Sequence, residues 1–166
     1  MGNDTPVAMD AEERDEFLGN GGTGVLSLST TGAEAPHSVP VSYGYDATDE
    51  TFYFRLAVGP DSEKGDLADR AVTFVTYGPD GESAAGTEGE TGSADPSDER
   101  WHSVVAQGRL EGVDEGDVAT ESLAGLERVD IPLVDVFDET VRSTAFEFYR
   151  LRPDQLTGRK EVRRSG

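Results

Sequence analysis

Six apolar clusters of strand length, each bounded by turn-forming residues, constrain this chain more than any other feature. They fall at 25–30, 37–43, 51–57, 72–77, 101–113 and 145–151. Side chains alternate faces along a strand, so 37–43 puts Val39, Val41 and Tyr43 on one face. The same period puts Phe52, Phe54 and Leu56 on one face of 51–57, with Tyr53 and Arg55 on the other. Thr31-Gly32-Ala33-Glu34 and Asp46-Ala47-Thr48-Asp49 supply turns at hairpin spacing. No strand–helix–strand alternation is visible, which argues against a doubly wound parallel fold. The expectation is a mainly β chain with flanking helices, a six-stranded antiparallel barrel in a single domain over 1–166.

Helices are predicted where capping chemistry allows them. Asp10 is a natural N-cap, and Glu13 three residues on completes a capping box. That helix should run through Phe17 and Leu18 and stop at Gly19. Shorter helices are expected over 64–69, 117–127 and 133–141. Residues 1–9 read as a disordered start. Residues 79–100 carry Gly, Ser, Ala, Thr and acids with no large apolar side chain, and read as an acidic mobile insertion between strands. Gly19-Asn20-Gly21-Gly22-Thr23-Gly24 has the glycines of a phosphate cradle, but a helix precedes it and a strand follows, the reverse of the phosphate-loop order. It reads as a flexible connector.

Charge narrows the function classes. With 34 acidic and 14 basic residues the formal net charge is −20, and a field of that sign repels nucleic acid and anionic membranes. Of the 14 basic residues only Lys64 and Lys160 are lysines. An acid-rich, lysine-poor surface suits molar salt, where the Debye length falls to ~3 Å and self-repulsion is screened. No secretory signal and no membrane-spanning run is visible, which points to a cytoplasmic protein. With no cysteine there is no disulfide, thiolate metal site or cysteine nucleophile.

The catalytic inventory is short. His37 and His102 are not spaced as metal ligands, and no serine-hydrolase elbow occurs. Tyr43 and His102 are the best general acid–base candidates, and no catalytic residue is evident. The informative stretch is Phe52-Tyr53-Phe54-Arg55-Leu56-Ala57 followed by Ser62-Glu63-Lys64. A strand there delivers an arginine, and a short loop then offers a hydroxyl and a lysine at a helix start, which outlines a phosphate site.

Four segments in order resemble the pyridoxamine 5′-phosphate oxidase-related, FMN-binding split-barrel proteins, nearest the nitroimidazole-resistance-like branch of the halophilic archaeal type. They are Gly-Val-Leu-Ser-Leu-Ser from Gly24, His-Ser-Val-Pro-Val-Ser-Tyr from His37, the Phe-Tyr-Phe-Arg and Ser-x-Lys pair, and Ser-Val-Val-Ala-Gln-Gly from Ser103. The resemblance runs from about Asp10 to Lys160 and implies an FMN site. Val39, Pro40, Val41, Ser42 and Tyr43 would lie along the flavin. Arg55, with Leu56 beside it, Ser62 and Lys64 would hold the phosphate, and Ser103 would face the cofactor. It also implies a homodimer with FMN in the interface, in which Trp101 and Gly158-Arg159-Lys160 serve the partner's site. Pro40 suits this role, because a proline within a strand belongs at an edge or bulge where a ligand can approach. The C-terminal Trp and Arg-x-His-x-Arg run of true pyridoxamine phosphate oxidases is absent; the last strand reads Phe146-Glu147-Phe148-Tyr149-Arg150. The functions implied are an FMN-dependent oxidoreductase acting on a small molecule, a non-catalytic flavin carrier, or a deazaflavin-dependent reductase.

Overall fold

The computed structural model describes residues 5–58, 67–79, 101–118, 120, 122–124 and 145–162. Its elements are β1 (Thr5–Ala8), α1 (Ala11–Leu18), β2 (Gly21–Leu28), β3 (His37–Asp46), β4 (Thr51–Val58), β5 (Ala71–Pro79), β6 (Trp101–Val113), β7 (Ala145–Leu151) and β8 (Gln155–Val162). All pairings are antiparallel, in the order β1-β8-β6-β5-β2-β3-β4-β7, and a further β6–β7 pairing closes the ring. The six strands expected from the sequence form the closed barrel, and β1 and β8 lie outside it.

Closure depends on β6, which is long enough to serve two neighbours along one edge. Its first half pairs with β8 from His102 to Gln107, and its second half with β7 from Leu110 to Val113. The changeover falls at Gly108, where a Cβ would sit 2.9 Å from Leu151 Cδ1 and 3.1 Å from the Arg152 carbonyl oxygen. A side chain there would hold β7 and the turn after it away from β6.

Inward-facing aromatic rings fill the barrel. Phe52, Phe54, Phe74 and Tyr43 are fully or almost fully buried, and Phe74 meets the other three at centroid separations of 5.0–5.3 Å. Tilted and edge-on contacts of this kind add to the free energy of area burial. Helix α1 plugs one end. Asp10 and Glu13 form the expected capping box, and Gly19 ends the helix at φ 57°. Leu18 is completely buried, its carbonyl accepts from the Tyr43 hydroxyl at 3.1 Å, and Phe17 stacks on His102 at 5.4 Å.

Several expectations are corrected. Residues 5–8, expected to be unstructured, form β1, with Thr5 opposite Val162 and Ala8 opposite Arg159. The tail, which gave no strand signal, is β8. β1 is held by β8 and β8 by β6, through backbone ladders that hydrophobic periodicity does not report. The glycine run after α1 is not a connector: Gly21–Gly24 begin β2, opposite Gly44–Val41. A Cβ on Gly24 would lie 2.6 Å from the Phe74 ring and the Val75 carbonyl, so close packing explains that glycine. Leu67–Asp69, assigned to a helix from sequence, are bend and turn residues, with Asp69 at φ 67°. Beyond Asp117 the described helical residues are 120 and 122–124. Residues 64–66, the insertion over 80–100 and the expected helix at 133–141 lie outside the described residues. Among the described residues no helix is long and apolar enough to cross a membrane.

Candidate functional site

The barrel wall parts between β3 and β4. These strands pair only from Tyr43–Phe54 to Asp46–Thr51. Strand β3 extends further, from His37 to Ser42, paired with β2 on its other edge, while Arg55–Val58 of β4 continue along β7. Six residues of β3 therefore have a ladder partner on one side only among the described residues. Pro40 lies in that stretch, where its missing N–H removes no bond between β3 and β4.

Register sorts the side chains around this seam. Tyr43 and Phe54 are opposite each other and both face the core, so Ser42 and Arg55, one position further along each strand, face outward. Pro40 is on the same outward face, exposed, while Ser42 is 7% exposed. Val41, Tyr43 and Leu56 point into the core at 5%, 1% and 7% exposure, so only their backbone can meet a ligand at the seam. Val39 packs against the core from its margin. Ser62 and Lys64 lie outside the described residues.

The neighbouring rung outward of the barrel is covered. Gly44 is opposite Tyr53, and a Cβ on Gly44 would fall 2.2 Å from the Ser122 carbonyl oxygen. Tyr53 and Val118 form a second small core with Val113, Leu123 and Phe148. Val118, Ser122 and Leu123 thus lie on the outer face at Gly44 and Tyr53 and wall one side of the seam.

Tyr43 and His102 belong to the barrel core and its plug. Burial pushes the Tyr43 phenol well above its usual range, and its hydroxyl is spent on Leu18. His102 is 8% exposed beneath Phe17. No group of three or more His, Cys, Asp or Glu side chains suited to a metal occurs among the described residues.

Ser103 is not brought to the seam. The outer face runs Pro40, Val25, Val75, Val105 across β3, β2, β5 and β6, and Ser103 lies two residues beyond Val105. Three strand spacings of about 4.8 Å separate β3 from β6, so Ser103 and Pro40 do not adjoin on this face. Near Ser103 a groove of about 340 Å³ is lined by Tyr77, Trp101, Ser103, Arg159 and Lys160 among others. Sequence reasoning flagged Trp101 and Arg159 but missed Tyr77, because only the β5–β6–β8 register puts the three together.

A closed six-stranded antiparallel barrel with one parted seam and two strands outside it is a split barrel. The chain belongs to the pyridoxamine 5′-phosphate oxidase family, whose model matches residues 10–160. No curated protein matches the chain. Its fold is shared with a candidate pyridoxamine 5′-phosphate oxidase from Corynebacterium glutamicum, 18% identical over 100% of this chain and 99% of that one, with a TM-score of 0.55. An FAD-binding protein from Mycobacterium smegmatis is 18% identical over 94% and 99%, at 0.54. A candidate 5-nitroimidazole antibiotic resistance protein from Bacteroides thetaiotaomicron is 16% identical over 95% and 88%, at 0.50.

Proposed function

We propose that this protein binds a flavin mononucleotide at the β3–β4 seam and is a flavin-dependent oxidoreductase for a small molecule. The observation that carries this is the seam itself: a strand edge with no ladder partner among the described residues, with Pro40 and Ser42 on the same outward face as Arg55. The residues present fit the group. A backbone edge offers N–H and C=O groups to a planar polar ring, and a guanidinium recognises phosphate through forked N–H donors. Family membership and the FAD-binding neighbour support the flavin class.

Arg55 anchors the phosphate, with Ser62 and Lys64 added on sequence grounds. Ser42 and the β3 backbone orient the ring, and the cover around residues 118–124 excludes water from one side. The flavin, when bound, supplies the hydride and electron chemistry. The absence of the C-terminal Trp and Arg-x-His-x-Arg run argues against pyridoxamine phosphate as substrate. The acid-rich surface supports work in a salt-rich cytoplasm.

Only one side of the seam is walled by the described residues, and a binding site buries most of its ligand. A second copy therefore completes the site, docking through the apolar row Pro40–Val25–Val75–Val105, and the protein acts as a homodimer.

Titrating FMN and riboflavin in molar salt tests the assignment. Arg55→Gln and Lys64→Ala should each weaken FMN by roughly 10- to 100-fold, since a charge-assisted hydrogen bond contributes about 1.5–3 kcal/mol. Riboflavin should be unaffected. Equal losses for both ligands would make these residues structural and end the phosphate assignment. Reduction of the loaded protein by a nicotinamide cofactor, with reoxidation by a nitro compound, separates an oxidoreductase from a carrier.

A further inference from the structure

We propose that Met9 is a site of oxidation by peroxide and that its sulfoxide is received by the Arg14 guanidinium, so that the modification tightens the corner where β1 turns into α1. The site is on the side of β8 that faces the helix, away from the docking row, and the inference does not rest on the flavin reading.

Place is the first argument. Met9 is the one residue between β1 and the Asp10 N-cap. Its backbone N–H donates to the Gly158 carbonyl at 2.9 Å. Its side chain lies on Gly158, where a Cβ would be 2.6 Å from the Met9 Cε and 3.3 Å from the Met9 Cβ. Gly158 is opposite the fully buried Val104, whereas Thr157 and Arg159 are opposite the outward Val105 and Ser103. The thioether is therefore held against the inner side of β8, at the margin of the core. Met9 is half-buried, so an oxidant as small as hydrogen peroxide reaches its sulfur.

An orphaned donor is the second. With Asp10 as N-cap, Met9 precedes the cap and Arg14 is the fourth residue of the helix, two positions whose side chains commonly meet. They meet here on Gly158, where the Arg14 Cγ is 3.5 Å from the same Cβ position. The Arg14 side chain is 11% exposed, and its Nη2 serves both Asp15 and Glu50. Its Nε is buried and has no hydrogen-bond partner among the described residues. A buried N–H without an acceptor is costly, and few native structures keep one. A thioether is too weak an acceptor to satisfy it.

Oxidation supplies the acceptor. Peroxide transfers one oxygen atom to the Met9 sulfur. A sulfur lone pair forms the S–O bond, the O–O bond breaks, and the other oxygen leaves as water with both protons. The sulfur is oxidised and the peroxide reduced. Such an oxygen usually disrupts packing, because it puts a polar atom among apolar ones. At Met9 it enters beside the unused Nε–H of a cation and over a glycine that has no side chain to displace.

The full chain is treated with hydrogen peroxide in molar salt, and peptide mass spectrometry locates the added oxygen. Met9 should carry one, and the urea midpoint of the oxidised protein should be higher than that of the untreated protein. In Met9→Leu the only methionine left is Met1, and peroxide should leave the midpoint in place. Arg14→Lys keeps the charge and removes the Nε–H, so there the same oxidation should lower the midpoint. Met9→Gln offers a carbonyl oxygen without any oxidant and should be more stable than Met9→Leu, a comparison that decides the matter alone if Arg14→Lys fails to fold. No oxygen at Met9 of the folded protein, a lower midpoint on oxidation of wild type, the same shift in Arg14→Lys, or a Met9→Gln less stable than Met9→Leu would each overturn the proposal.

Discussion

The Tyr45 hydroxyl donates to the Asp15 carboxylate across 2.7 Å and so fastens α1 to β3. Arg14 reaches the same carboxylate at 3.3 Å and Glu50, in the β3–β4 turn, at 2.6 Å. Tyr45 is 2% exposed, while the Asp15 and Glu50 side chains keep 28% and 54% of their surface in solvent, so the link is shielded only at its tyrosine end. Tyr45→Phe keeps the ring packing and removes only the donor. It should lower stability by about 1–2 kcal/mol, seen as a lower urea midpoint at constant salt with an unchanged slope. No change would mean that this hydroxyl contributes nothing to holding the helix on β3.

Alkali should unfold this protein through its buried phenols. Burial pushes both Tyr43 and Tyr45 upward, and the Asp15 carboxylate adds to the rise at Tyr45. The unfolded chain releases these protons near the ordinary value of about 10, whereas the folded chain keeps them. Stability is therefore complete below pH of about 10 and falls above it, by about 1.4 kcal/mol per pH unit for each such tyrosine. Urea midpoints measured from about pH 8 to 11 should show the decline, and the Tyr43→Phe, Tyr45→Phe double variant a flatter profile.

Gly44→Ala should loosen the cover over the seam. The new methyl would overlap the Ser122 carbonyl oxygen, which is backbone and cannot swing aside like a side-chain end. Overpacking of this kind costs about 1–3 kcal/mol. Faster amide exchange in the stretch near Ser122 than in β5 would locate the damage. Uniform exchange across the chain would show that the cover is not a separate unit.

The insertion should be removable. Pro79 is opposite Trp101, so the two ends of the 80–100 stretch already meet on one ladder rung. Replacing 80–100 by Asn-Gly suits a two-residue hairpin and shortens the loop to be closed. The change in stability should stay within about 2 kcal/mol. Loss of the cooperative transition would show that this stretch contributes to the core.

Light scattering in molar salt should give twice the monomer mass at micromolar protein. Val75→Lys puts a charge at the centre of the apolar row without touching the core, and should yield a folded monomer with weakened FMN binding. A wild-type monomer would remove the homodimer from the proposed function.

The barrel strands and α1 were legible in the sequence because their signals are local. Phe52, Phe54 and Leu56 mark β4 by alternation alone, and Asp10, Glu13 and Gly19 mark both ends of the helix. Strands β1 and β8 were not legible, since Thr5–Ala8 and Gln155–Val162 bury little: β8 is held by the backbone of β6, and β1 by that of β8. Gly24 in β2 misled for a related reason: its bareness serves contact with Phe74, a residue distant in sequence. Of the candidate site, Arg55 and Pro40 stood out by residue type within a strand, and alternation already grouped Val41 with Tyr43 and Leu56 with Phe52 and Phe54, but the meeting of Ser42 and Arg55 at one seam followed from register.

The sequence by itself determined which segments become the six barrel strands, which face of each is apolar, and that the chain carries a strong net negative charge. These depend on nearest-neighbour chemistry and a two-residue period. Tertiary structure alone decided where β3 leaves β4, that β6 serves two partners, and that Tyr77, Ser103 and Arg159 share a row. Such outcomes depend on which strand lies beside which, and that is settled by closing the barrel around one aromatic core.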